Sequence, residues 1–146
     1  MKSNFDFLNP YWPALAQTGA DAEIYAGAPR ACMDKLRLFA ERLAQEIALS
    51  AQIPEPARTH AGRIRALKRA GLLPREIGDA LHILYQTRDS AAYPGEDSAA
   101  EAETRLSMAY NLAVWLMKTY GDWEFTASPF VMPSGDGGED PETAAA

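Results

Sequence analysis

The stretch that decides the fold is Lys35-Leu36-Arg37-Leu38-Phe39-Ala40-Glu41-Arg42-Leu43-Ala44-Gln45-Glu46-Ile47. Its apolar residues recur at intervals of three and four, which is the spacing of an α-helix with one buried face. We therefore predict a helix over residues 29–51, ended by Pro54 and Pro56. The buried stripe of this helix consists of Leu36, Phe39, Ala40, Leu43 and Ile47.

The rest of the chain shows the same helical spacing, and no stretch alternates apolar and polar residues long enough to predict a strand. Gly71 and Gly121 are placed to end two of the helices, and Ser98 and Glu101 match a capping box at the start of the last one. The further predicted helices cover residues 13–25, 57–70, 74–88 and 98–120. We predict an all-α fold, a single bundle of about five helices.

Aromatic residues flank the bundle on both sides. They are Phe5, Phe7 and Trp12 before the helices and Trp123, Phe125 and Phe130 after them. We expect the first group to pack as an N-terminal arm and the second to fold back on the bundle. These elements make one domain over residues 1–133. Residues 134–146 have no apolar anchor, and we interpret them as a disordered acidic tail or a linker.

The charge balance excludes a generally basic nucleic-acid binder. The 146 residues include 14 basic and 20 acidic side chains, a net charge of -6. Four of the acids fall within residues 136–146, and without them 14 basic residues face 16 acidic ones, a net charge of -2. The body of the protein is therefore close to neutral.

Residue counts also limit the chemistry. The single cysteine, Cys32, excludes an internal disulfide and a multi-cysteine zinc site, and we expect it to be a small apolar residue. His60 and His82 are too few for a His-rich metal site, so we expect no metal and no cofactor. We expect His82 to be partly buried and hydrogen-bonded. No apolar run is long enough for a membrane span and no secretory signal is present, so we expect a cytoplasmic protein.

One run of the chain is strongly basic. Arg58, Arg63, Arg65, Lys68, Arg69 and Arg75 precede the first acid, Glu76. At about 100° per residue, Arg58, Arg65 and Arg69 share one helical face with Lys68 beside them, opposite Ile64 and Leu67. This face is either a phosphate-contacting stripe or a solvated surface, with or without pairing to acids of a neighbouring helix or subunit. The absence of an interleaved aromatic residue favours the second interpretation.

The segment Arg88-Asp89-Ser90-Ala91-Ala92-Tyr93 resembles the motif of HEPN ribonucleases. That motif has an arginine, a polar residue and, after four intervening positions, a histidine. Tyr93 stands at the histidine position, and tyrosine, with a pKa of about 10, is a poor base at neutral pH. The candidate catalytic residues are Arg88, Asp89 and Tyr93, and we predict a structural role for them rather than catalysis.

Several short motifs spread over about Ser3 to Pro133 share one family pattern. They are Ser3-Asn4-Phe5-Asp6-Phe7-Leu8, Trp12-Pro13, Leu15, Lys35-Leu36-Arg37-Leu38-Phe39-Ala40-Glu41, Ala66-Leu67-Lys68-Arg69, Gly71-Leu72-Leu73-Pro74, Leu81-His82, Leu112-Ala113-Val114-Trp115, Thr119-Tyr120-Gly121-Asp122 and Ser128-Pro129-Phe130. Together they resemble the small HEPN-like helical domain, of unknown function, at the N-terminus of R subunits of type I restriction enzymes and of some related helicases.

This resemblance implies a setting in DNA restriction or defence. It does not imply DNA cleavage, because the nuclease and the ATP-driven motor of an R subunit lie in later domains. Typical members carry Gly-Asn and then Val-His-Glu where this chain has Arg88-Asp89 and Ala92-Tyr93-Pro94. We predict a non-catalytic accessory domain that contacts a second copy of itself or restriction-system subunits. The alternatives are a HEPN-like ribonuclease that uses Arg88 and a nucleic-acid-binding module that uses the Arg58–Arg69 face.

Overall fold

The structure, a computed structural model, describes residues 3–53, 59–86 and 99–133. Within these ranges every regular element is helical, so the predicted all-α fold is confirmed. The elements are a 3₁₀ turn (Asp6–Leu8), α1 (Pro13–Ile24), α2 (Pro29–Ser50), α3 (His60–Arg69), α4 (Arg75–Tyr85), α5 (Ala99–Leu116) and a π-helical turn (Met117–Gly121) that continues α5.

The helix at the centre of the bundle is α2, which packs against each of the other four. All five residues of its predicted stripe are fully buried. Cys32, on the same helix, is also buried, as predicted for a small apolar residue. Burial, together with the charge of Glu23, raises the pKa of the Cys32 thiol to about 12. This thiol therefore stays protonated at neutral pH.

Two helix boundaries differ from the predicted ones. The third helix begins at His60 rather than at residue 57, because Thr59 is the better N-cap: its hydroxyl accepts the backbone N–H of Gly62 at 3.0 Å. The fourth helix ends at Tyr85 rather than at residue 88, because the backbone of Gln86 is extended. The Ser98 cap and residues 134–146 lie outside the described residues.

The predicted packing of the N-terminal arm and of the C-terminal segment is confirmed. Phe5 is fully buried against Phe39, with ring centroids 5.2 Å apart. Phe7 stacks on Phe125 of the returning segment at 4.7 Å. The exception is Trp123, which is 79% exposed and lies in the short turn between the π-helical turn and Phe125.

Candidate functional site

The basic residues of α3 lie on the outside of the bundle. Arg65, Lys68 and Arg69 are exposed, whereas Leu67 on the opposite side of the helix is fully buried and Ile64 packs on the core. The predicted facing of this helix is therefore confirmed for the residues that the structure describes. The fourth predicted member of the stripe, Arg58, lies outside them.

A glycine on α4 lets Lys68 lie across the neighbouring helix. A Cβ atom added to Gly78 would be 3.1 Å from Lys68 Cε and 3.7 Å from its Nζ. Arg75, the first residue of α4, is also exposed. Both helices thus contribute to one cationic surface, which we call the basic face: Arg65, Lys68, Arg69 and Arg75.

None of the four cations of the basic face forms an ion pair within the described parts of the chain. The acids on the same pair of helices are Glu76 and Asp79, both exposed on α4. Within those parts, no acid of a neighbouring helix forms an ion pair with this face, so the pairing considered above is not found there. The basic face presents its charge to solvent.

The buried histidine of the fold is His60, not His82. His82 is exposed, so the prediction that it is partly buried and hydrogen-bonded is wrong. His60 is 5% exposed, and its ring stacks on Tyr85 with centroids 4.1 Å apart. The Arg37 guanidinium lies 4.3 Å from the centroid of the same tyrosine ring. A signal for this burial exists in the sequence, because His60 stands four and seven residues before the inward-facing Ile64 and Leu67.

The imidazole of His60 is uncharged at neutral pH. Burial, followed by the positive charges of Arg63, Arg37 and His82, lowers its pKa from 6.5 to about 4. Neither of its ring nitrogens has a hydrogen-bond partner among the described residues. The ring therefore serves as a packing surface between the start of α3 and the end of α4.

Acidification is expected to destabilise the protein through His60. The unfolded chain binds a proton at this residue below about pH 6.5, whereas the folded protein does so only near pH 4. Stability is therefore lost as the pH falls from 6.5 to 4, by about 3 kcal/mol from this group. Chemical denaturation at both pH values measures the loss, which His60→Phe should remove. The exposed His82→Phe should keep it, and equal pH dependence of the two variants would contradict the assignment.

Arg105 is a second buried polar residue that the sequence did not single out. It is 4% exposed on α5, and its Nη1 donates to the backbone oxygens of Ile83 at 3.0 Å and Gln86 at 2.6 Å. Its Nε donates to Glu101 at 3.0 Å. The carbonyls at the C-terminal end of a helix lack intrahelical partners, so Arg105 caps α4 from the side.

The comparisons with known proteins add no assignment. No protein-family model, no curated protein and no solved structure matches this chain. The candidates from the ribonuclease-like segment, Arg88, Asp89 and Tyr93, lie outside the described residues. Within the described ranges, no cluster of three or more histidine, cysteine or acidic side chains is arranged to hold a metal ion. No helix there combines the length and the hydropathy of a membrane-spanning segment.

Proposed function

We propose that this chain is a non-catalytic helical domain that works through protein–protein contacts in a DNA restriction or defence system. The resemblance to the R-subunit N-terminal domain is the reason for proposing a restriction or defence system. The main observation in favour of protein–protein contacts is a set of large apolar side chains that are exposed on the arm, on α1 and on the C-terminal segment. We call this set the apolar rim: Tyr11, Ile24, Trp123, Val131 and Met132.

A polar clamp holds one part of the apolar rim in place. The Asn4 side chain pairs with both backbone groups of Val131: Nδ2 donates to the carbonyl at 2.7 Å and Oδ1 accepts the N–H at 2.9 Å. The Glu23 carboxylate accepts from the backbone N–H of Asn4 at 3.1 Å and from its Nδ2 at 2.6 Å. Val131, which is 69% exposed, is thereby fixed near the end of α1, where Ile24 is also exposed.

The other part of the apolar rim lies around the π-helical turn. A Cβ atom on Gly121 would be 3.4 Å from Tyr11 Cδ2, so the arm passes directly beside this turn. Trp123 follows two residues later with 79% of its surface exposed. Exposed tryptophan and tyrosine side chains are enriched where protein interfaces derive most of their binding energy. This exposure supports a contact surface where the arm passes the π-helical turn.

The residues of the family resemblance also support the proposal through their packing. Three of its motifs, which are far apart in the sequence, contribute Phe5, Phe39 and Phe130. Phe5 contacts Phe39, and both Phe5 and Phe130 lie beside the ring of Tyr110, at 6.3 and 5.4 Å between centroids. These three motifs thus meet at one junction between the arm, α2 and the C-terminal segment.

Charge placed on the apolar rim is expected to weaken association. Light scattering and capture of purified restriction-system subunits should detect a dimer or a complex for the wild type. The Ile24→Glu/Val131→Glu double variant should lose at least about tenfold in affinity, because buried carboxylates at an interface are strongly disfavoured. Leu49→Glu, at a leucine that is 70% exposed at the end of α2, is the matched control and should bind normally. A wild type that is strictly monomeric and captures no subunit would refute the proposal.

A further inference from the structure

Positive charge is concentrated in one hairpin of an acidic chain. Residues 59–86, which contain α3 and α4, carry five basic and two acidic side chains, a net charge of +3, whereas the whole chain has a net charge of -6. The three cations of α3 that belong to the basic face lie within five residues. Such segregation creates a local positive potential that the total charge conceals.

The outward side of α3 is built so that a large anion can approach it. Arg65 and Arg69 are one helical turn apart, about 6 Å along the axis. The residues next to these arginines on the outer side of the helix, Gly62 and Ala66, are small. The two guanidinium side chains therefore project beyond their neighbours, which leaves room for adjacent phosphates of one strand.

The second helix of the hairpin extends the cationic surface. The stem of Lys68 crosses α4 at Gly78, where a larger residue would displace it. Arg75 stands at the start of α4, close to the end of α3 along the chain. Glu76 and Asp79 on α4 limit the surface on that side, and α3 itself carries no acid. The basic face is thus a short stripe along α3 that ends at the first turn of α4.

We propose that the basic face binds the phosphate backbone of duplex nucleic acid without reading its sequence. Arginine and lysine side chains contact phosphate oxygens through charge-assisted hydrogen bonds. No aromatic residue stands between Arg65 and Arg75 in the sequence to stack on an unpaired base, which weighs against a single strand. A duplex is contacted through its phosphates and needs no such stacking, so the same absence does not weigh against a duplex. This activity is separate from the protein–protein contacts of the apolar rim, because the two surfaces share no residue.

The test is the salt dependence of binding to labelled duplexes of about 20 base pairs, one of DNA and one of RNA. With four phosphate contacts, the slope of log affinity against log salt should be about -3.6, and affinity should fall about 150-fold between 50 and 200 mM salt. Arg65→Ala/Arg69→Ala should halve the slope to about -1.8 and weaken binding at 50 mM salt at least about tenfold. Binding of either duplex supports the proposal, and the stronger one identifies the preferred backbone geometry.

The control is Arg30→Ala/Lys118→Ala, which removes two exposed cations from elsewhere on the surface and changes the net charge equally. It should leave the slope unchanged. Because Arg65 and Arg69 are exposed, their replacement should not alter the thermal unfolding of the protein. Arg65→Gln/Arg69→Gln provides a second pair if the alanine variant does not fold. No binding of either duplex at 50 mM salt, or equal weakening by the control pair, would overturn the proposal.

Discussion

Replacing Phe5 with alanine is expected to lower the free energy of unfolding by about 4 kcal/mol, the largest effect that we expect from a single substitution in this protein. The side chain is fully buried, and its ring contacts Phe39 and lies beside Tyr110. Its removal leaves a cavity where the arm crosses α1, α2 and α5. We also expect the cavity to loosen the preceding residue, Asn4, whose side chain hydrogen-bonds the backbone of Val131. Urea unfolding followed by circular dichroism measures the loss of stability.

The matched control is Tyr11→Ala, which removes another aromatic ring from the same arm. Tyr11 is exposed, so its removal should change the free energy of unfolding by less than about 1 kcal/mol. Equal destabilisation by the two substitutions would show that the arm does not depend on the buried position of Phe5.

Gly19 provides an independent check on the same contact. In a helix interior, glycine to alanine ordinarily stabilises by about 1 kcal/mol. Here the added Cβ would lie 2.5 to 2.9 Å from the Phe5 ring, so Gly19→Ala should destabilise by about 1 to 3 kcal/mol. In a Phe5→Ala background this cost should disappear, because the clashing ring is gone.

Replacing Arg105 with methionine should cost about 3 kcal/mol, the second large effect. Methionine fills most of the space of the arginine stem but leaves the carbonyls of Ile83 and Gln86 without their buried donor. It also leaves Glu101 without this ion-pair partner. The midpoint of thermal unfolding should fall by on the order of 10 °C.

The control for Arg105 is the same substitution at Arg30, an exposed arginine of α2. Arg30→Met should change the free energy of unfolding by no more than about 0.5 kcal/mol. If the two variants unfold at the same temperature, the hydrogen bonds of Arg105 do not stabilise the end of α4.

Helical periodicity was sufficient to predict the bundle because it reports directly on which side of each helix is buried. The stripe of α2 and the inward position of Leu67 are both as expected from spacing alone. The exposed position of Arg65 and Arg69 follows from the same geometry. Periodicity could not predict which helices pack against each other, because the spacing of apolar residues describes one helix at a time.

The errors fall on polar and aromatic residues whose surroundings come from distant segments. His60 is buried by Tyr85, which is 25 residues away in the sequence, and His82 on the same helix as Tyr85 is exposed. Trp123 is a large apolar residue of the kind that usually lies in a core, but it stands in a turn and is exposed, whereas Phe125 two residues later is packed. Residue type alone does not distinguish these cases.

By itself, the sequence determined the all-helical class, the inner face of α2, the outward basic stripe of α3 and the low charge of the body. These features depend on the spacing of apolar residues within single helices and on the number of charged residues, both of which can be read directly from the sequence. Only the tertiary structure decided that Phe5 sits on Gly19, that Arg105 caps α4 and that Asn4 clamps Val131. Each of these contacts joins residues that are distant in the sequence. Arginine and asparagine are also found both buried and exposed in proteins, so the residue type alone does not predict the contact. The geometry of these contacts exists only after the hydrophobic faces have packed, because packing is what brings the partners within hydrogen-bonding or van der Waals distance.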